Sequence, residues 1–140
     1  MSMAARNPSL VQAFRATRYV ILLAPEIVLV PGERSAALAR LHADCGVQCS
    51  GLVTAWNPRA QRHELHENDT VQARLAAALG AAGWRPRPAV HRAPQGDWDE
   101  ASFWVAGIGR AALEVLGREF GQVAVLHAGA NATPHLCWLD

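Results

Sequence analysis

The sequence predicts an α/β (α+β) domain: a mixed sheet with a ferredoxin-like split βαβ core, extended at its N-terminal side by a helix and a hairpin. Three observations predict it. From Leu52 onward the periodicities run strand, helix, strand, strand, helix, strand, the order of a split βαβ unit. The 140 residues, 51% hydrophobic and 18% charged, suffice to close one core. No linker, internal repeat or low-complexity tract interrupts them.

Residues 1–7 read as a flexible tail and residues 8–140 as a single globular domain. Pro8 to Thr17 suits a short helix, with Leu10 and Phe14 on one face. Residues 19–23 and 27–30 read as two strands joined through Pro25 in a hairpin. Ser35 to Ala43 forms a helix stopped near Gly46. A strand over Leu52–Trp56 halts at Asn57-Pro58, because proline lacks an amide hydrogen and pushes its predecessor toward extended geometry. Asn68 is expected to cap a long helix to Ala82. Pro86 and Pro88 demote the strand over Arg85–Arg92 to a sheet edge. Gln95-Gly96-Asp97 turns, Ala101–Val105 is a strand, and Gly107–Gly109 leads into a helix to about Glu119. Strands over Gln122–Leu126 and Pro134–Leu139 close the chain.

A formal net charge of +1 supplies no global field toward nucleic acid or anionic lipid. All thirteen basic residues are Arg, which reflects coding bias or, at particular places, bidentate anion recognition. Three cysteines, no basic-then-apolar leader and no apolar run of membrane-spanning length suit a cytoplasmic protein with reduced thiols.

Several short motifs occur in order along the chain. Thr54-Ala55-Trp56-Asn57-Pro58 resembles the "TAxNP" strand end of the bacterial domain-of-unknown-function family 3293. Asn68 with Leu75 and Leu79 fits that family's next helix. Trp98-Asp99-Glu100-Ala101-Ser102-Phe103 is similar to its "W-x-E-x-S-F" segment, and Phe120-Gly121-Gln122-Val123-Ala124-Val125 to its "FGQ-x-A" strand. Phe14 to Tyr19 is compatible with the family's start, so the resemblance runs from about Phe14 to Leu139. It implies a small, stand-alone, cytosolic bacterial protein and carries over no activity, cofactor or catalytic residue. His127, His135 and Cys137 depart from the aliphatic residues expected near the last strand.

The leading expectation for a site follows from the predicted topology. If the strands over Leu52–Trp56 and Ala101–Val105 lay side by side and parallel, both following helices would begin at one rim. Their unpaired amides would there favour an anionic or nucleotide-like ligand. Asn57, Arg59, Asn68, Gly109, Arg110 and Gln122 are its candidate residues, with Arg62, His63 and His66 on the bordering loops. The structural alternative is that Asn57 and Asn68 only turn and cap, and Glu67 and Asp69 already occupy the positive helix end.

Glu100 and Ser102, two apart on one strand face, are the enzymatic candidates, as an acid/base pair or else a sheet-capping network around Trp98. In the parallel arrangement they lie at the far end of the sheet from Asn57. A third reading is an interaction module or homodimer pairing through the final strand or the Arg/Pro edge. There Trp84, Arg85, Arg87 and His91 form a small basic patch, too weak for nucleic acid to be expected.

Gly107-Ile108-Gly109-Arg110-Ala111-Ala112 has dinucleotide-fold spacing, but no acid follows the next strand and close packing explains the glycines. His63-Glu64-Leu65-His66-Glu67 brings its second histidine one residue too early for a helical zinc motif. His42, Cys45 and Cys49 lack an evident fourth ligand. No metal or cofactor is therefore expected.

Overall fold

In a computed structural model the chain is described over residues 7–94, 96 and 99–139. The expected tail lies outside these residues apart from Asn7, whose side chain caps the first helix. Gln95 and Asp97 of the expected turn, and Trp98, also lie outside them.

The elements in order are α1 (Pro8–Ala16), β1 (Arg18–Ile21), β2 (Ile27–Leu29), α2 (Ala36–Cys45), β3 (Ser50–Val53), a short 3-10 turn (Pro58–Ala60), α3 (Leu65–Ala81), β4 (Arg87–Arg92), β5 (Glu100–Ala106), α4 (Arg110–Glu119), β6 (Ala124–Ala128) and β7 (Pro134–Trp138). One seven-stranded sheet holds every strand, in the order β2-β1-β4-β5-β3-β6-β7, with each neighbouring pair antiparallel.

Alternation along the strands sorts the core into two faces. Tyr19, Ile21, Leu52, Ala89, Trp104 and Leu126 point to one side, where Leu38 of α2 joins them. Val53, Val105, Val125 and Cys137 point to the other, against Leu75 and Leu79 of α3 and Leu113 of α4. Helix α4 lies close because Gly117 has no Cβ. One built there would come within 2.5 Å of Leu139 and 2.7 Å of Val125.

The sheet is curled. Strands β2 and β7 are its opposite edges, yet the Gly32 amide after β2 donates to the Pro134 carbonyl that opens β7, at 2.7 Å. The Ser35 amide likewise donates to Ala132 O at 2.9 Å. Helix α2 sits against the concave face, capped by Ser35 Oγ at one end and by Gly46, at φ 67°, at the other.

Three expectations are corrected. Strands β3 and β5 are neighbours but antiparallel, Ser50 opposing Ala106 and Val53 opposing Phe103. The helix crossover sets β4 parallel to β3 and the hairpin sets β5 antiparallel to β4, so the split βαβ order itself requires β5 antiparallel to β3. Strand β4 is interior, between β1 and β5, rather than an edge. Pro86 precedes it, and Pro88 falls where β1 is ending, its carbonyl accepting from Leu22 N just past Ile21. The missing proline amide therefore costs no bond within the ladder. Finally, Asn68 is not a helix cap: α3 starts at Leu65, and Asn68 turns inward from its first turn, 3% exposed.

His42, on α2, is buried and hydrogen-bonds Ser50 Oγ through Nε2 at 2.7 Å. Burial holds its imidazole below the ordinary histidine value, and the neighbouring His127 adds to the effect. The folded chain thus binds this proton less readily than the unfolded chain. The contribution to stability is complete above the unfolded value of about 6.5 and is lost as pH falls toward the lower folded value. Urea midpoints are expected to drop between about pH 7.5 and pH 5.5, with a smaller drop in His42→Gln. Equal drops in the two proteins would assign the acid sensitivity elsewhere.

Candidate functional site

Antiparallel pairing rearranges the candidate residues. Because β5 runs opposite to β3, its first residue, Glu100, meets the segment that follows β3. That segment leaves the ladder after Val53 and is held by side chains instead of strand bonds. Thr54 Oγ1 donates to Ala101 O at 2.6 Å and accepts from Trp56 N at 3.0 Å. Gln72 Oε1 of α3 accepts from Ala55 N at 2.9 Å.

Asn57 is the junction. It has a left-handed backbone, φ 48°, a conformation asparagine tolerates better than most residues. Its amide N–H donates to Asn68 Oδ1 at 2.9 Å, while its own Oδ1 accepts from Asn68 Nδ2 at 3.0 Å and His63 N at 2.8 Å. Its Nδ2 donates to Glu100 Oε2 at 2.8 Å. The loop continues through Arg59 and Ala60, also at positive φ, and is tied down by Arg59 N donating to Gly121 O at 2.7 Å. Gln122 completes the junction, its Nε2 donating to Trp56 O at 3.1 Å and Phe120 O at 3.3 Å.

Asn57, Asn68, Glu100 and Gln122 thus converge, whereas Gly109 and Arg110 do not join them. The Gly107 amide donates to Cys49 O just before β3, so the start of α4 lies at the opposite end of the sheet. Arg110 is exposed there, 3.4 Å from Glu114. The shared rim of two helix starts does not form. Ser102 is 2% exposed and donates to Val53 O at 3.0 Å, a tie between β5 and β3 inside the sheet. The Arg59 side chain is exposed.

Beside the junction a cavity of about 630 Å³ opens at one end of the concave face, under α1. Its floor is the end row of that face. Tyr19 opposes His91, and His91 opposes Glu100, across β1, β4 and β5. Gln122 and Asn57 form one wall, and Leu10, Ala13 and Phe14 of α1, with Thr17 just after it, form the roof. The roof is lightly fixed: no residue of α1 is buried. It is held by Tyr19 Oη donating to Phe14 O at 2.9 Å and by an edge contact of Phe14 on Trp138, 5.3 Å between centroids.

Among the described residues Glu100 is the single acidic side chain lining this cavity, and no Arg lines it. Glu100 Oε1 lies 3.8 Å from His91 Nδ1, with the two side chains 16% and 11% exposed. The His91 ring meets Tyr19 edge-on at 4.7 Å, and its Nε2 is buried with no hydrogen-bond partner among the described residues. Burial pushes the Tyr19 phenol well above its ordinary value and the negative charge of Glu100 pushes it further, so Tyr19 stays protonated as a donor to Phe14 O. Tyr19 escaped the sequence reading, and His91 was expected in a basic edge patch instead of a cavity floor. The available signal was alternation: His91 shares a strand face with Ala89, which points into the core, as well as with the exposed Arg87.

The metal candidates do not assemble. His42 faces Ser50, Cys45 is exposed, and Cys49 Sγ donates to Ile108 O at 3.2 Å. His63 and His66 each lie near a single carboxylate, Glu67 and Glu64. Among the described residues no helix is long and apolar enough to cross a membrane.

Neither a curated protein nor a solved structure matches the chain. A family described as "Protein of unknown function (DUF3293)" matches residues 53–125, just over half of it. That stretch encloses Asn57, Asn68, His91, Glu100 and Gln122, the wall and most of the floor of the cavity. The chain belongs to the DUF3293 family.

Proposed function

We propose that the chain binds a small, largely apolar organic molecule that presents a positive charge or hydrogen-bond donors to Glu100, in the cavity under α1. One observation carries this reading: among the described residues Glu100 is the single acidic side chain lining the cavity, and no Arg lines it. The donors of Tyr19, Thr17 and Gln122 are directed to backbone carbonyls, and Asn57 Nδ2 is directed to Glu100. Two carbonyl partners fix which end of the Gln122 amide is nitrogen, and so turn its oxygen away from them. The Glu100 carboxylate adds the charge, and about 630 Å³ is an ordinary size for a small-molecule site. The preference for an anion, expected from two helix starts, gives way to its opposite here.

Two coarser features accompany the proposal. The run β4-β5-β3-β6, with α3 and α4 on one face, supports reading these elements as the split βαβ core. Three free thiols, Cys45, Cys49 and Cys137, suit a reducing cytosol.

Benzamidine, a flat apolar ring with an amidinium fork, matches the cavity; benzoate has the same ring and the opposite charge. At a hundredfold excess over its dissociation constant, benzamidine is expected to add about 2.7 kcal/mol, a rise of roughly 10 °C in Tm. Benzoate is expected to add nothing. Stabilisation by benzoate or phenyl phosphate, with none by benzamidine, would restore the anion reading and overturn this one.

A further inference from the structure

Resting on that binding site, we infer that the cavity is a place of proton transfer, with Glu100 as the general base toward the bound molecule and His91 as the residue that positions it. The substrate class is a small molecule bearing a proton made acidic by a neighbouring electron-withdrawing group. The reaction class is elimination or isomerisation begun by removal of that proton.

Two independent features point this way. The first is the placement of the carboxylate. Glu100 faces the cavity from the first position of β5, and Asn57 Nδ2 holds Oε2 at 2.8 Å. A base whose orientation is fixed by a neighbour loses little freedom on reaction. The second is the histidine behind it. His91 is 9% exposed, its Nδ1 is 3.8 Å from Glu100 Oε1, and its Nε2 is a buried polar atom without a partner among the described residues. A buried unpaired nitrogen costs stability, and of the four among the described residues, on Trp56, Gln72, His91 and Trp104, only that of His91 belongs to a residue lining this cavity. The pair is longer than a hydrogen bond, a spacing common in catalytic pairs before a ligand tightens them. Tyr19, protonated and directed to Phe14 O, is the other titratable group on His91.

The probe is 5-nitrobenzisoxazole, a flat neutral molecule whose opening needs a base and no co-reactant. The carboxylate takes the proton from C3, that C–H electron pair forms the third bond of the nitrile, and the N–O bond breaks to leave a coloured phenolate. The proton then returns from Glu100 to water. Wild-type protein is expected to open the ring with saturation kinetics, roughly 100-fold above buffer at saturation, and benzamidine is expected to compete. Glu100→Gln should fall to the buffer rate, while Arg110→Ala, at the far end of the sheet, keeps the wild-type rate. His91→Gln should lower kcat with KM little changed, because the ring that backs the carboxylate is lost while the binding surface stays. A histidine that only fills space leaves kcat in place, and that result overturns its role. Turnover by Glu100→Gln at the wild-type rate, or no turnover by a wild type that binds benzamidine, overturns the catalytic inference while the binding site stands. If benzamidine fails to bind as well, both fall.

Discussion

Glu100→Gln is expected to weaken benzamidine binding by roughly 10- to 100-fold, because a charge-assisted pair contributes about 1.5–3 kcal/mol and a neutral amide recovers little of it. The substitution suits the test because Gln retains the length of Glu and a carbonyl oxygen that accepts from Asn57 Nδ2. Folding should therefore change far less than binding. Calorimetric titration beside urea unfolding separates the two effects. A variant that binds normally would remove Glu100 from the recognition site. A variant that unfolds would make the carboxylate part of the scaffold, and Glu100→Asp, which keeps the charge on a shorter stem, would then fail to restore binding. Since Glu100 is only 16% exposed, salt should screen this interaction less than it screens a surface pair.

The positions of nearly all the elements were legible in the sequence, because each depends on local signals. Ser35 and Gly46 bracket α2 with cap chemistry, and the apolar residues of β1 and β5 fall where a strand needs them. Direction is set by the connections instead: a helix crossover followed by a hairpin leaves β5 antiparallel to β3. One error, parallel instead of antiparallel for β3 and β5, put Glu100 at the wrong end of the sheet and Gly109 on a rim of two helix starts that does not form. The same residues, with the strand reversed, bring Asn57 to Glu100 at 2.8 Å. Pro88 misled for a related reason. Its missing amide matters only where a neighbouring strand requires it, and that neighbour, β1, ends beside it. The roof of the cavity was out of reach as well. Leu10 and Phe14 mark an apolar face on α1, but nothing in their spacing says that this face covers a hollow instead of a core.

Asn57→Ala should be the most damaging single change near the site, at about 3–4 kcal/mol, with loss of benzamidine binding. Two costs combine. Alanine at φ 48° is strained where asparagine is tolerated, and three hydrogen bonds disappear around a residue that is 7% exposed. Asn57→Gly separates them: it relieves the backbone and should recover about 1 kcal/mol while the binding defect persists. Asn68→Ala leaves the Asn57 amide hydrogen buried without an acceptor, a cost of about 2–3 kcal/mol. Because the two side chains serve each other, removing both should cost less than the sum, by about 1 kcal/mol or more in a double-mutant cycle. Strict additivity in urea unfolding would mean that the two asparagines act separately. The wall beside Glu100 would then owe its shape to the 57–60 backbone alone, and Asn68→Ala would leave benzamidine binding intact.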